Sequence, residues 1–288
     1  MHMARTFGVV SRYPEHLRRF RTAFFEVKDV GGAWHDPVPG TIPMVSCFGD
    51  NRVAKAHPDW VQEGPDGLRA VRGERYFDWD ALCPTRPEVR ELARAWIRRA
   101  AGDGAGFRLD DVTYAREGFC RCAVCRDAAA ARGVDLEELH RRVLAEFVES
   151  VRGQIGRPVY FTLYPDPYPG HLEARYGLSP ETLAPAVDVF VVPLYDLAYS
   201  TTYWLEILAS AWRDRVPTGL FIELYGLKVP ERALEQAVRV AAHYADGVLV
   251  AYESNAEKLR RVAETFAEEE GVALSEILRE DSGASPEV

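Results

Sequence analysis

At 288 residues, with 47% hydrophobic and 27% charged side chains, the chain has a globular composition and room for one large domain or two small ones. Its net charge of −9 argues against nucleic acid and anionic membrane as partners, since both select basic patches. No apolar run is long enough to span a bilayer, and Met1-His2-Met3-Ala4-Arg5 lacks the apolar stretch of a secretory signal. The expectation is a cytoplasmic protein, which the odd count of 5 cysteines also suits.

Strand-like runs fall at Thr6–Ser11, Ala23–Asp29, Ile42–Phe48, Ala105–Asp111, Pro158–Tyr164, Val187–Tyr195, Thr218–Tyr225 and Gly247–Glu253. Amphipathic helical stretches are clearest at Pro87–Ala101, Leu136–Gln154, Thr202–Arg213, Glu231–Tyr244 and Ala256–Glu269. The first connections are weaker: Glu15–Arg21 predicts only a short helix, and Val30–Thr41 reads mostly as loop. A long connection, Gly49 to Thr85, carries His57, Trp60, Tyr76, Phe77 and Trp79, too aromatic a set for a disordered segment. Strands alternating with helices require parallel pairing, and eight such units predict a single α/β domain, a (β/α)8 TIM barrel over residues 1–279. An open doubly wound sheet is the structural rival, but no Gly-x-Gly-x-x-Gly follows any strand. Residues 280–288, rich in Ser, Glu and Pro, read as a disordered tail.

Cys83, Cys120, Cys122 and Cys125 read together as one structural zinc site. Thiolates spaced Cys-x-Cys-x2-Cys wrap a tetrahedral ion with little chain strain, and Cys83 supplies the fourth ligand from the long loop. Four thiolates close the coordination sphere, which leaves no open position for catalytic water. Scattered core cysteines or a Cys122–Cys125 disulfide are the alternatives. Cys47, in an apolar strand, reads as a buried thiol.

Barrel strands alternate side chains between axis and helix layer, so polar members mark the inward face. Arg108 and Asp110 then face inward, with Phe107 and Leu109 outward; Tyr160, Thr162 and Tyr164 do so in the fifth strand, and Phe221, Glu223 and Tyr225 in the seventh. Glu26 and Lys28 share one face of the second strand, Tyr195-Asp196 ends the sixth and Glu253 the eighth. Acids converging at C-terminal strand ends suit glycoside hydrolysis, which needs two carboxylates across a cleft and favours aromatic platforms for sugar rings. Tyr114, Tyr160, Tyr164, Tyr168, Tyr195, Tyr199, Tyr203, Trp204, Tyr225 and Tyr252 fall on or just after strand ends. Ion pairs such as Arg108–Asp110 or Glu26–Lys28 are the structural alternative for these charges.

Three segments, His57-Pro58-Asp59-Trp60 with Asp66-Gly67, Cys83-Pro84-Thr85-Arg86-Pro87-Glu88-Val89-Arg90, and Cys120-Arg121-Cys122-Ala123-Val124-Cys125, resemble the barrel domain of family 42 glycoside hydrolases, the β-galactosidase-type enzymes. The resemblance implies structural zinc on the four cysteines, an acid/base at Asp111 with Asp110 in the place of a conserved Asn, and a nucleophile at Glu223. Arg108, Tyr114, Tyr164, Tyr195, Asp196, Tyr225 and Glu253 are the candidate substrate contacts, and a small carbohydrate the expected ligand; homo-oligomerisation is left open. The chain departs from the family where Asp-Asp replaces Asn-Glu. An aspartate reaches one methylene less, about 1.5 Å, and alternation aims Asp110 rather than Asp111 along the axis unless a bulge intervenes. Two other readings follow: a carbohydrate-binding or degenerate barrel with structural zinc, and an α-glycosidase-type pair of Asp110 with Asp196.

Overall fold

Each predicted strand run forms a strand, and the eight close on themselves. The computed structural model describes residues 5–74, 77–102 and 104–279; Tyr76 and the expected tail at 280–288 lie outside them. The strands are β1 (Thr6–Ser11), β2 (Thr22–Lys28), β3 (Ile42–Ser46), β4 (Phe107–Asp110), β5 (Val159–Thr162), β6 (Val189–Pro193), β7 (Gly219–Tyr225) and β8 (Gly247–Ala251). Neighbours pair in parallel, and β8 returns to β1 with Val248 opposite Phe7, giving a (β/α)8 barrel. Most strands stop short of the sequence prediction: the run expected over 187–195 is paired only over Val189–Pro193. Apolar and aromatic residues past the ladder extend the pattern but belong to the mouth.

Period-two alternation divides the core into two layers. Val10, Phe24, Ile42, Met44, Val191, Phe221, Leu249 and Ala251 fill the barrel interior, with Tyr160 edge-on to Phe24 at 5.0 Å. A Cβ on Gly247 would lie 2.5 Å from the Phe221 ring, so this crowded position requires glycine. Phe107, Leu109, Phe161, Phe190, Leu220 and Ile222 join the larger layer beneath the helices.

The helix Leu136–Ile155 shows why these segments fold as they do. Asp135 caps it by accepting from Glu138 N at 2.8 Å, and Gly156 ends it at φ 61°. Its buried face includes Leu139, Val143, Phe147 and Val151, each contributing about 1.5–3 kcal/mol by burial. Phe147 meets Phe48 at 4.9 Å, which anchors the chain where it leaves β3 for the long loop.

That loop is ordered by its own polar groups. Asp50 caps the short helix Asn51–Ala56, accepting from Arg52 N at 2.9 Å and Val53 N at 2.8 Å. The loop then returns in two single 3₁₀ turns, Pro58–Trp60 and Pro65–Gly67. Gln62, fully buried, donates to the Leu82 carbonyl at 3.0 Å and accepts from Ala115 N at 2.9 Å, so it joins this loop to the one after β4. Among the described residues, no helix is long and apolar enough to cross a membrane.

Candidate active site

The C-terminal mouth of the barrel opens into a cavity of about 560 Å³, within the range of small-ligand sites. Arg108, Asp110, Asp111, Glu223, Tyr164, Tyr195 and Tyr225 line it together, as barrel geometry predicts for residues at strand ends. Both aspartates reach it for a reason that alternation misses. Asp111 adopts φ 50°, a left-handed turn directly after β4, instead of the strand-end bulge expected. The turn breaks the period of two, and adjacent carboxylates share one space.

Electrostatics separate these acids. Burial pushes Asp111 from 3.8 up to about 8, helped by the charge of Asp110 and opposed by Ser46 and Lys28. Burial also raises Glu26 on β2 to about 7, against the pull of the Arg12 guanidinium, whose Nη2 lies 3.1 Å from the carboxylate. Glu223 is only 2% exposed. One of its oxygens accepts from Arg108, reaching across the barrel from β4, and the other from the Tyr195 hydroxyl. Arg108, also 2% exposed, is steadied by Thr162 at 3.0 Å.

These shifts fix a pH dependence. With folded values of about 8 for Asp111 and about 7 for Glu26, the folded chain holds more protons than the unfolded one from about pH 4 upward. The stability that these groups contribute is complete below their unfolded values near 4 and is lost as pH rises through 7 to 8, at most about 1.4 kcal/mol per unit per group. Urea unfolding between pH 5 and 9 should show this decline, and Asp111→Asn should flatten it; an unchanged slope would remove Asp111 as its source.

Three expected contacts lie elsewhere. Tyr114 is fully buried, its hydroxyl 2.7 Å from Thr85 Oγ1 and its ring stacked on His140 at 3.7 Å. Its amide donates to the Tyr176 carbonyl at 3.0 Å, and Cys125 Sγ lies 3.1 Å from the same Thr85 hydroxyl, which sets the ring beside the cysteines. Asp196 is exposed and caps its own turn, accepting from Ala198 N at 2.8 Å and Tyr199 N at 3.1 Å. It does not line the cavity, so the Asp110/Asp196 pair is not assembled. Glu253 is buried against Lys258 and accepts from Ser254 N and Asn255 N, both at 2.8 Å, an ion pair and cap at the start of helix Ala256–Glu270.

The proposed ion pairs also differ. Lys28 meets Asp50 at 3.1 Å rather than Glu26, and Arg108 meets Glu223 rather than Asp110. Of the aromatic rim, Tyr252 lines the cavity, Tyr199 is buried with its hydroxyl on the Leu194 carbonyl, and Tyr168, Tyr203 and Trp204 are exposed. Arg12 and Tyr13 line the cavity and were not anticipated. They directly follow β1, so the rule that barrel sites gather at C-terminal strand ends applied to them as well.

Beside the cavity, the four cysteine sulfurs lie within 4.8 Å of one another, all buried. Cys83 Sγ is 3.8 Å from Cys122 Sγ and 3.5 Å from Cys125 Sγ, and those two are 3.7 Å apart. A disulfide needs about 2.05 Å, whereas the edge of a tetrahedron with metal–sulfur bonds of about 2.3 Å is about 3.8 Å. The set can therefore hold a metal ion. Cys122 occupies the N-cap position of the helix Ala123–Arg132 and Cys125 sits in its first turn, while Glu63 N points at Cys120 Sγ from 3.3 Å. Cys83 N, in turn, donates to the Trp60 carbonyl at 2.8 Å, fixing the other arm.

No protein-family model matches the chain, and no curated protein matches its sequence. Solved structures do. An α-L-fucosidase, isoenzyme 2 from Paenibacillus thiaminolyticus, superposes with a TM-score of 0.62 at 13% identity, over 92% of this chain and 49% of that one. A family 20 exo-β-N-acetylglucosaminidase from Vibrio harveyi gives 0.57 at 10% identity, over 93% and 54%. A family 36 α-galactosidase from Geobacillus stearothermophilus gives 0.53 at 8% identity, over 94% and 42%. The chain thus spans about half the length of these structures. All three are glycoside hydrolases, and at these identities the likeness is one of fold.

Proposed function

We propose that the chain is a glycoside hydrolase that cleaves a terminal sugar from an oligosaccharide or glycoside, with Asp111 as general acid and Glu223 as the opposing carboxylate. The observation that supports it most is the shared cavity: Asp111, protonated up to about pH 8, and Glu223, held by Arg108 and Tyr195, reach one space from β4 and β7. The two acids differ in the way a glycosidase requires, one kept as a proton donor by burial and one set in an ion pair. Tyr164, Tyr225 and Tyr252 supply ring faces for a sugar. The resemblance to family 42 enzymes supports the same two positions.

The cysteine site fits zinc, and Cys83, Cys120, Cys122 and Cys125 would hold it. Bound there, zinc supplies structure alone, because four thiolates complete its sphere. The chemistry belongs to the carboxylates.

A carbohydrate-binding barrel without turnover is the second reading, favoured by the engagement of both Glu223 oxygens in the closed ion-pair network. One experiment separates the two. On a panel of aryl glycosides, kcat/KM should fall as pH rises through about 8, as Asp111 loses its proton. Asp111→Asn should lose that alkaline limb. If the wild type binds sugars yet cleaves none of the panel, the hydrolase reading is lost and the binding barrel stands.

A further inference from the structure

A second cavity of about 250 Å³ adjoins the first, and the two share Trp79, Asp111, Thr113 and Tyr164. Asp111 therefore stands at the divide. We propose that this second lobe seats one pyranose-sized ring of the leaving group, so that the substrate spans two rings with the scissile oxygen at Asp111; this rests on Asp111 being the general acid.

The size, walls and position agree. Its volume falls below the ~300 Å³ at which separate small-molecule sites begin, which suits an annex for one ring better than an independent ligand site. Phe77, Trp79, Tyr164 and Tyr176 line it, the two tyrosine rings stacked on each other within 2° of parallel at 4.0 Å, which leaves each one outer face. Flat aromatic walls pack against the C–H face of a sugar. A general acid delivers its proton to the oxygen between the two rings, and only the boundary between lobes reaches that oxygen.

The lobe is also built differently from the first cavity. Strand ends line most of the larger space, with Trp79 common to both, whereas Phe77 comes from the loop that ends at Cys83, and Ala115 from the loop that leads to Cys120. The cysteine centre and Gln62 fasten those two loops together.

Ala115 lines only the second lobe, so Ala115→Phe fills it and leaves the first open. Calorimetry with lactose, cellobiose, maltose and chitobiose, each against its component monosaccharide, should find one disaccharide bound at least about tenfold more tightly. Ala115→Phe should abolish that advantage while monosaccharide binding stays unchanged. Hydrolysis of a glycosyl fluoride, whose leaving group needs no second lobe, should persist in the variant as disaccharide hydrolysis falls at least tenfold. Phe77→Leu, which removes one face without adding bulk, should weaken disaccharide binding alone and guards against a misfolded Ala115→Phe. The proposal is overturned if no disaccharide gains over its monosaccharide, or if the gain survives both substitutions. A gain that the substitutions remove, in a protein that cleaves nothing, keeps the second lobe and discards the hydrolase.

Discussion

Glu223→Gln should lower kcat on aryl glycosides by at least about 10³-fold and destabilise the fold by about 3–5 kcal/mol. The two losses have different causes. The rate falls because the amide can neither attack nor balance charge at the anomeric carbon. The stability falls because Arg108, 2% exposed, keeps its charge and loses the carboxylate that accompanied it into the barrel. A second substitution separates them: pairing Glu223→Gln with Arg108→Met removes the stranded charge and should restore most of the stability. Activity should not return. Unfolding in urea with assay of the same samples reads both quantities. Full activity in folded Glu223→Gln would make the Arg108–Glu223 pair a structural element and take Glu223 out of the reaction.

The fold was largely legible because a parallel barrel writes its strands as short apolar runs with polar side chains at inward positions. Phe107, Leu109 and Ile222 went to the outer layer and Arg108, Thr162 and Glu223 to the inner one, all from period two alone. The cysteine set was legible because three thiols so closely spaced have few other uses. What alternation could not supply was the backbone of Asp111, a single left-handed residue whose dihedral no neighbouring side chain announces. Nor could it rank polar residues at strand ends. Asp196 and Glu253 end strand-like runs as candidate acids do, yet the first satisfies turn amides and the second a helix start and a lysine. Exposed N–H groups at strand-to-helix turns attract carboxylates as strongly as catalysis does. Arg108 had two carboxylates to choose from, and only the closed barrel shows that Glu223, reached across the axis, is the partner.

Stripping the metal, or replacing Cys83 with Ser, should cost the protein several kcal/mol and should loosen two loops rather than the barrel. Structural zinc in small peptides is worth about 10–16 kcal/mol because without it nothing folds. Here the barrel has its own core, so only the share that orders the loops is at risk. Purified protein should carry one zinc per chain. Chelation under reducing conditions should raise amide exchange across residues 49–85 and 111–125, while β1, β7 and β8 stay protected. Cys47→Ala is the control: that thiol is fully buried and, among the described residues, joins no group of metal-ligating side chains, so its loss should leave the metal content unchanged. Chelation without any change in exchange would leave the four cysteines as packed thiols. Because the two loops carry Phe77, Trp79 and Ala115, the disaccharide advantage should disappear on chelation, whereas Arg108 and Glu223, set on β4 and β7, keep their places. A metal held by the four cysteines would then govern how long a substrate the barrel accepts, through the two loops that it ties together.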